Sequence, residues 1–563
     1  MVSLTFCLPA CSQSTSGDID ALLTAYDEVE QFSGVVLVAE GDDVVYQRAF
    51  GEADRASGAA NTVDTRFAIG SITKQMTAAL ILQLVEEGAV DLDAPITRYL
   101  PDYPAAQGDR VTIHQLLSHT SGIPEHINRD GFRERISDPV QPDSFLSIFS
   151  GDLLEFEPGT NYAYSNSGYY VLGVIAEHVT GMPLSQAMQK RLFEPLGLVH
   201  TGINDSAQPG DGDARGYLRS GADFEEASYA HPSILYSAGM ISSTGADVVQ
   251  WTRALHAAQP FQSSATLERM TTSVSNDYGY GVGVSSLPMG DRAVRSVGHS
   301  GGVPGFSSFL VYFPDEERTV AVLSNTQGSV GPIALNVARI LYGQEVDPPG
   351  QSVGALLDTI IETDGIDAAE VRYRTLRADG GGSYDMGEGQ LNDLGYAYVE
   401  RGELETAIRI FRLNVEAFPD VWNPYDSLAE AYAMAGQRDS SVANYRRALV
   451  LNPTAPSALE ALERLGADSN VETVVVPGAL LDAYVGRYAI QPGLEVAVTR
   501  EGAALFAQPT GRPKLELTPV STSRFYAEQV DMYVVFNSSS GAPAQSLTLS
   551  GGGGPNMRGE RVK

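Results

Sequence analysis

The pattern of hydrophobic and polar positions in the first part of the chain predicts a helix, a hairpin and then further helices. Residues 18–32 carry apolar side chains at helical spacing, and residues 34–39 and 44–50 are apolar runs on either side of a polar turn, which predicts a β-hairpin. A long helix is expected at residues 71–87. A mostly helical, loop-rich region follows to about residue 290, because glycine and proline interrupt its periodicity often.

Strand-like runs return at residues 295–298, 307–313 and 319–323, and a helix is predicted at 333–341. Strands at both ends of a segment with helices between them indicate one antiparallel sheet that the two ends complete together. The predicted fold class is therefore α+β, with an antiparallel sheet flanked by helices, and the corresponding domain covers residues 18–345.

Two further modules are predicted after a linker with helices at residues 346–384. In residues 385–468, five positions recur at a constant offset of 34 residues, the period of tetratricopeptide helix pairs. The recurring residues are Leu394, Tyr398, Gly402, Phe411 and Pro419, then Leu428, Tyr432, Gly436, Tyr445 and Pro453. From residue 475 to 563, short alternating runs between Gly, Pro and Ser turns predict a small antiparallel β-barrel-like domain. Its segments 484–488 and 505–508 resemble a lipocalin-like module.

The N-terminal segment, residues 1–17, is mostly apolar up to Ala10 and then rich in Ser, Thr and Gly, which resembles a bacterial lipoprotein signal with a lipid anchor at Cys11. That interpretation predicts a periplasmic or secreted protein. The alternative is a chance apolar terminus, because the apolar stretch is short and no basic residues open it. Elsewhere no run of 18 apolar residues occurs, so no transmembrane span is expected.

Composition and charge exclude some classes of function. A hydrophobic share of 43% is typical of a globular protein. The net charge of −33 argues against nucleic acid as a partner, because such binding depends on cationic groups that neutralise phosphates. Cys7 and Cys11 are the only cysteines, so neither a disulfide framework nor a cysteine-based metal site is expected in the folded body.

Candidate chemistry begins at Ser71 and Lys74, which are three residues apart at the start of the predicted 71–87 helix and therefore share a face. A serine hydroxyl is a poor nucleophile until a base removes its proton, and a lysine can be that base when its surroundings keep it neutral. The alternative is that Ser71 is a helix cap and Lys74 a solvated residue. The two residues alone do not decide between these interpretations.

Two further segments with candidate chemistry follow Ser71 and Lys74 along the chain. Tyr-Ser-Asn at 164–166 precedes a predicted helix, and His-Ser-Gly-Gly at 299–302 follows a predicted strand. Together with the segments 116–122 and 305–308, they resemble the serine β-lactamase-related hydrolases, a family that includes class C β-lactamases, D-alanyl-D-alanine carboxypeptidases and esterases. The resemblance covers residues 32–341.

The resemblance implies that Ser71 attacks a carbonyl carbon, that Lys74 helps to activate it, and that Tyr164 carries the proton to the leaving group. Tyr162 competes with Tyr164 for that role. His299, Ser300 and Gly301 would bind substrate, and Asn166 would either bind substrate or orient Lys74. The backbone N–H groups of Ser71 and Gly302 would form the oxyanion hole. No cofactor and no metal are implied.

Many members of the family carry lysine where this chain has His299. A mostly neutral histidine attracts a substrate carboxylate weakly, so at most weak β-lactamase activity is expected; alternatively, His299 is a structural residue bonded within the sheet. The expected function is that of a serine hydrolase acting through an acyl-enzyme on D-amino-acid-containing peptides or small esters. The alternative is a non-catalytic, penicillin-binding-like sensor that uses the repeats to bind a protein or peptide partner.

Overall fold

The computed structural model describes residues 11–129, 131–132, 135–203, 209–210, 212–220, 223–290, 292–328, 330–453, 455–468, 476–491, 494–530, 532–537, 543–551 and 554–562. Residues 1–10 of the predicted lipoprotein signal lie outside this range. The chain divides into two compact units, Met1–Gln351 and Ser352–Lys563, and each has hydrophobic cores of its own. Among the described residues, no helix combines the length and apolarity needed to span a membrane.

The first unit is built on a six-stranded antiparallel sheet. Its strands, in spatial order, are Gly283–Met289, Arg292–Val303, Phe306–Phe313, Arg318–Ser324, Gly34–Glu40 and Asp43–Phe50. The N-terminal hairpin joins the C-terminal strands because Gly34–Glu40 pairs with Arg318–Ser324, with Val38 opposite Val320. The predicted α+β fold class is therefore confirmed. The edge strand Gly283–Met289 was not predicted, since it is mostly half-exposed and contains little apolar periodicity.

The Gly34–Glu40 strand is an interior strand of the sheet and is buried on both faces. Because successive side chains of a strand point to opposite faces, Val35 and Leu37 belong to one core and Val36 and Val38 to the other. Burial on both faces explains why this strand is a continuous apolar run rather than an alternating one.

Helices cover both faces of the sheet. The α-helices of the first unit are Cys11–Glu28, Thr73–Glu86, Ala105–Gly108, Ile113–Leu117, Pro142–Leu146, Asn166–Thr180, Leu184–Met188, Glu194–Leu196, Pro232–Gly239, Gly245–His256, Ser264–Met270 and Gly331–Leu341. Tighter or wider helical turns are Gly70–Ile72, Ile96–Arg98, His126–Asn128 and Gln189–Phe193. Short strands outside the main sheet are Glu52–Asp54, Ala59–Ala60, Phe67–Ala68, Gly202–Ile203, Tyr217–Ser220, Asp223–Glu226 and Ile241–Ser243.

The Thr73–Glu86 helix is the central helix of the unit, and its first ten side chains are all buried. It begins two residues later than predicted, because Gly70–Ile72 forms a 3₁₀ turn. Ser71 lies in that turn, and the helix starts without a side-chain cap. The interpretation of Ser71 as a helix cap is therefore wrong, and its hydroxyl is available for other contacts.

The second unit begins with antiparallel helices. Its α-helices are Val353–Asp364, Ile366–Ala378, Glu388–Glu400, Leu404–Ala417, Asn423–Met434, Arg438–Leu451, Pro456–Arg464 and Gly478–Tyr484. The 34-residue period places equivalent residues in successive helix pairs: Phe411 and Tyr445 are both buried, and Gly402 and Gly436 join the helices of each pair with φ angles of +79° and +71°. The recurring residues thus belong to two successive helix hairpins.

The C-terminal part of the second unit is a closed barrel of eight strands, which confirms the predicted β-barrel-like domain. The strands are Gly486–Gln491, Leu494–Glu501, Ala504–Pro509, Leu515–Pro519, Arg524–Ala527, Met532–Asn537, Ser546–Gly551 and Gly554–Arg561, and two-residue strands elsewhere are Gln351–Ser352 and Tyr384–Asp385. Side chains such as Tyr488, Phe525 and Phe536 fill its interior. The barrel core is therefore formed by packed aromatic and aliphatic groups.

Asp426, in the Asn423–Met434 helix, is a buried carboxylate that should destabilise the second unit near neutral pH. Burial raises its pKa from 3.8 to about 6, and its Oδ1 atom has no hydrogen-bond partner. Because the folded-state pKa is the higher one, stability falls as the pH rises from about 4 to about 6, and the full penalty applies above that range. We expect Asp426→Asn to raise the free energy of unfolding by about 1–3 kcal/mol at about pH 7.5 and by almost nothing at about pH 4.

Thermal unfolding followed by circular dichroism at the two pH values measures this difference. Asp439→Asn is the matched control, because Asp439 is exposed on the neighbouring helix. Unchanged or lower stability of Asp426→Asn at about pH 7.5 would contradict the expectation.

Candidate active site

The structure brings Ser71, Lys74 and Asn166 into direct contact. Lys74 Nζ lies 2.9 Å from Ser71 Oγ, 2.7 Å from Asn166 Oδ1 and 2.9 Å from the carbonyl oxygen of Ala238. Lys74 and Ser71 come from adjacent turns of the chain, whereas Asn166 is the first residue of another helix, Asn166–Thr180. Three separate segments therefore meet at one amine.

The Lys74 amine is held in a state in which it can act as a base. The side chain is fully buried, and this burial lowers its pKa from 10.5 to about 7. A neutral amine has two N–H bonds and one lone pair. Because the oxygens of Asn166 and Ala238 can only accept hydrogen bonds, they take the two N–H groups, and the lone pair is left to accept the proton of Ser71.

Tyr164 lies beside this pair. Lys74 Nζ is 4.9 Å from the centre of the Tyr164 ring. Burial raises the pKa of the Tyr164 hydroxyl, and a hydrogen bond with the Ser71 side chain opposes that effect. Tyr162, the competing tyrosine, packs against His119 and Tyr278 with ring centroids 6.0 and 6.1 Å away, but the hydrogen bond of its hydroxyl is with Asn276 and not with Ser71. The geometry thus favours Tyr164 as the phenol next to Ser71.

Glu125 anchors the helix that carries Asn166, and sequence reasoning missed it. Its carboxylate Oε2 accepts a hydrogen bond from the backbone N–H of Asn166, and Oε1 accepts one from the N–H of Ile127 at 3.2 Å. Its negative charge raises the pKa of Lys74 and so opposes the effect of burial. No sequence signal marks this residue, because its contacts are to backbone atoms, one of them 41 residues away.

His119 contacts the Tyr164–Asn166 segment through one hydrogen bond and ring packing. It is completely buried, its Nδ1 accepts a hydrogen bond from the backbone N–H of Ser165 at 3.0 Å, and its ring centre lies 4.3 Å from that of Tyr164. Burial lowers the pKa of His119 well below its usual value, so the ring is neutral. His119 therefore positions the Tyr164–Asn166 segment by packing and one hydrogen bond.

His299 lies inside the Arg292–Val303 strand rather than after a strand, as the sequence had suggested. Its Nδ1 is 2.5 Å from the carbonyl oxygen of Ser300, and its Nε2 is 2.8 Å from the hydroxyl of Tyr278. A carbonyl oxygen only accepts, so Nδ1 carries the proton and Tyr278 donates to Nε2. Burial, together with the Lys74 charge, lowers the pKa of His299 to about 4, so His299 is neutral at pH 7.

Gly301 and Gly302 of the same strand press against the turn that holds Ser71. A Cβ on Gly301 would lie 2.1 Å from the carbonyl oxygen of Ile69, and a Cβ on Gly70 would lie 2.6 Å from the backbone nitrogen of Gly302. Gly70 has a φ of +52°, a conformation that favours glycine. The absence of side chains at Gly70 and Gly301 therefore allows the strand to lie directly against the turn that holds Ser71. Ser300 is exposed and makes its described contact through its carbonyl oxygen.

The arrangement provides the parts that acyl transfer needs. A buried amine can take the serine proton, and a phenol lies next to the serine. Among the described residues, no group of three or more His, Cys, Asp or Glu side chains is placed to hold a metal ion.

Residues 19–344 match the family model described as Beta-lactamase. Penicillin-binding protein 4* of Bacillus subtilis is 30% identical over 366 residues, which are 60% of this chain and 78% of that protein. Esterase EstB of Burkholderia gladioli is 36% identical over 210 residues, which are 35% of this chain and 53% of the esterase. A solved D-stereospecific amidohydrolase from Streptomyces sp. is 27% identical with a TM-score of 0.50, over 57% of this chain and 98% of the other.

The family model covers more than half of the chain, and so does the similarity to the Bacillus subtilis protein. The chain therefore belongs to the beta-lactamase family of serine hydrolases. The family resemblance expected from the three sequence segments is confirmed.

Glu125→Gln should shift the pH at which Ser71 becomes reactive. Gln keeps an acceptor for the Asn166 N–H but removes the negative charge that raises the Lys74 pKa, so that pKa should fall below about 7. Reaction of Ser71 with a phosphonate probe requires the neutral amine, and its rate should rise with pH through the Lys74 pKa. We expect the midpoint of that rise to move about 0.5–1 pH unit toward acid.

The rate constant for labelling between about pH 5 and pH 9 measures the midpoint. Glu157→Gln serves as a control, because the Glu157 side chain is 67% exposed. A merely structural role for Glu125 would lower the rate at every pH without moving the midpoint, and a shift toward alkaline pH would contradict the expectation.

Gly70→Ala should damage the site without unfolding the protein. The added methyl would collide with the Gly302 nitrogen and push it away from Ser71. Removing one oxyanion-hole donor costs a rate factor of about 10²–10³, so ester hydrolysis should fall at least tenfold. Gly58→Ala is the matched control, since Gly58 also has a positive φ, +71°, but nothing within 4 Å of its Cβ position. Equal rates of the two variants would refute this role of Gly70.

Proposed function

We propose that this chain is a serine hydrolase that cleaves amide or ester bonds through an acyl-enzyme on Ser71. The observation that carries the proposal is the Lys74 amine, which is buried, held by two acceptors and directed at Ser71 Oγ. A solvated lysine would stay protonated and could not take a proton at neutral pH. The burial of Lys74 therefore distinguishes a catalytic pair from a coincidental one.

In the first step, Ser71 Oγ forms a bond to the carbonyl carbon of the substrate while its proton passes to Lys74. The carbonyl oxygen becomes an oxyanion, which the backbone N–H groups of Ser71 and Gly302 would stabilise. The bond from carbon to the leaving group then breaks. Tyr164 gives its proton to the leaving group and regains one from Lys74, so the leaving group departs neutral and the acyl-enzyme remains.

In the second step, water replaces the leaving group. Tyr164 takes a proton from the water as it passes its own proton to the neutral Lys74, and the resulting hydroxide attacks the acyl carbon; Lys74 then supplies the proton that returns to Ser71. The ester bond to Ser71 breaks, and Ser71 Oγ regains its proton. The overall reaction consumes one water and releases one acid and one alcohol or amine, so no cofactor is required.

D-amino-acid-containing peptides and small esters are the substrates that we propose. The relatives include proteins named as an esterase and as a D-stereospecific amidohydrolase. We propose that β-lactam hydrolysis is weak at most, because His299 is neutral and supplies no fixed charge for a substrate carboxylate. Asn166, Ser300 and Gly301 would provide polar contacts at the same edge of the site.

The remaining features of the chain support further proposals. We propose a periplasmic or secreted protein with a lipid anchor at Cys11, on the basis of the N-terminal sequence. The two helix hairpins would be tetratricopeptide-like repeats that bind a protein or peptide partner, and the barrel would be a lipocalin-like module. A spacer role for the hairpins is the alternative to peptide binding.

Covalent labelling tests the proposed nucleophile. Mass spectrometry after treatment with a fluorophosphonate or a penicillin should find the adduct on Ser71, and Ser71→Ala should show neither adduct nor turnover while keeping its fold. Tyr164→Phe should lose a factor of about 10²–10⁴ in kcat, the usual contribution of a general acid–base. Tyr162→Phe is the matched control and should stay within a few-fold of wild type. Saturable ligand binding with no adduct and no turnover would favour the non-catalytic sensor instead.

A further inference from the structure

An open cleft of about 810 Å³ begins at Ser71, and its shape bears on the choice of substrate. Ser71, Asn166 and Gly302 belong to its lining, whereas neither Tyr164 nor His299 does. In the proposed reaction, the leaving group must lie beside Tyr164, which protonates it. Because neither Tyr164 nor His299 lines the cleft, the cleft is available to the acyl part of the substrate.

The walls of this acyl cleft are predominantly apolar. The apolar side chains that line it are Ile127, Phe132, Ile136, Ile234, Leu235, Ala238, Val303, Pro304 and Phe306. Its polar lining consists of uncharged side chains such as Asn128, Ser228 and Gln327. His126 also lines it, and burial lowers the pKa of His126 to about 3, so it adds no charge at neutral pH. Among the described residues of the lining, no Asp, Glu, Lys or Arg occurs.

Acyl groups should bind to these walls with different affinities, because the free energy of transfer from water to the cleft differs between apolar and charged groups. Each methylene buried against apolar walls favours binding by a factor of about four. A carboxylate on the acyl group would lose hydration in the cleft and would meet only neutral side chains there. The volume of the cleft lies within the usual range for small-molecule sites and is much larger than an acetyl group needs.

We propose that the cleft selects esters and amides whose acyl group is uncharged and apolar, with several carbons or an aromatic ring, over acetyl and carboxylate-bearing acyl groups. The inference rests on the proposed function, because it assigns the cleft to the acyl side of an attack by Ser71. The proposed substrates are thereby limited to esters and amides that can be bound without a cationic side chain.

A series of p-nitrophenyl esters with one leaving group tests the inference on the wild-type chain. The kcat/KM values for acetate, butyrate, hexanoate and the mono-ester of glutarate are each divided by the rate of alkaline hydrolysis of the same ester. We expect hexanoate to exceed acetate at least tenfold and to exceed the glutarate mono-ester, which has a similar length, at least tenfold. A flat series, or a glutarate ester as good as hexanoate, would overturn the inference.

A charge placed in the cleft gives a second, independent measurement. Ile127 is 41% exposed, so Ile127→Lys should fold and bring a cation to the acyl group. We expect the ratio of kcat/KM for glutarate to that for hexanoate to rise at least tenfold. Leu153→Lys is the matched control, because Leu153 is 89% exposed and outside the cleft lining, and it should leave the ratio unchanged. Equal ratios in the two variants would contradict the assignment of the cleft.

The outcomes separate the inference from the proposed function. No turnover of any ester and no adduct on Ser71 would refute the enzyme itself. Turnover of all four esters together with an adduct on Ser71, but without dependence on the acyl group, would refute only the selection by the cleft.

Discussion

The whole site depends on the burial of one amine. A protonated lysine in the interior loses the hydration of its charge, and this loss brings the pKa of Lys74 to about 7. Two carbonyl oxygens stabilise the neutral amine by accepting hydrogen bonds from its N–H groups. The negative charge of Glu125 raises the Lys74 pKa and so opposes part of the effect of burial. The amine is thus both oriented and poised between its two protonation states. If either carbonyl oxygen moved, the lone pair would no longer be directed at Ser71.

The fold explains why the partners remain in place. The residue before Ala238, Ser237, is bonded to two helices and so fixes the Ala238 carbonyl. Its carbonyl oxygen accepts a hydrogen bond at 2.7 Å from Thr77 of the Thr73–Glu86 helix, and its hydroxyl donates one at 2.7 Å to the carbonyl oxygen of Tyr169 of the Asn166–Thr180 helix. Tyr236, just before Ser237, has a φ of +41°, a strained conformation for a tyrosine. Such strain persists only where the surrounding structure imposes it, and it occurs often at functional sites. Here the strained turn delivers a backbone oxygen to Lys74.

Sequence patterns predicted the parts of the site that depend on side-chain identity. Ser71 and Lys74 are close in sequence, and the Tyr-Ser-Asn and His-Ser-Gly-Gly segments contain side chains typical of serine hydrolases. These residues could therefore be proposed from the sequence alone. Ala238 could not, because it contributes a carbonyl oxygen that any residue possesses. Glu125 acts mainly through a backbone contact across a loop. Likewise, strong apolar periodicity revealed the central strands, whereas the edge strand Gly283–Met289 lacks that signal.

The charges of the site residues and the net charge of the whole chain both disfavour an anionic substrate. His299 already donates from Nδ1 and accepts from Tyr278 at Nε2, so protonating it would force the Tyr278 hydroxyl to change from donor to acceptor and would place a charge near Lys74. With Lys74 neutral, the described site offers no permanent cation, while the chain as a whole carries a net charge of −33. A field of that sign lowers the local concentration of anions and leaves neutral molecules unaffected. An anionic substrate would therefore be disfavoured during approach and again on binding, whereas an uncharged one would meet neither barrier.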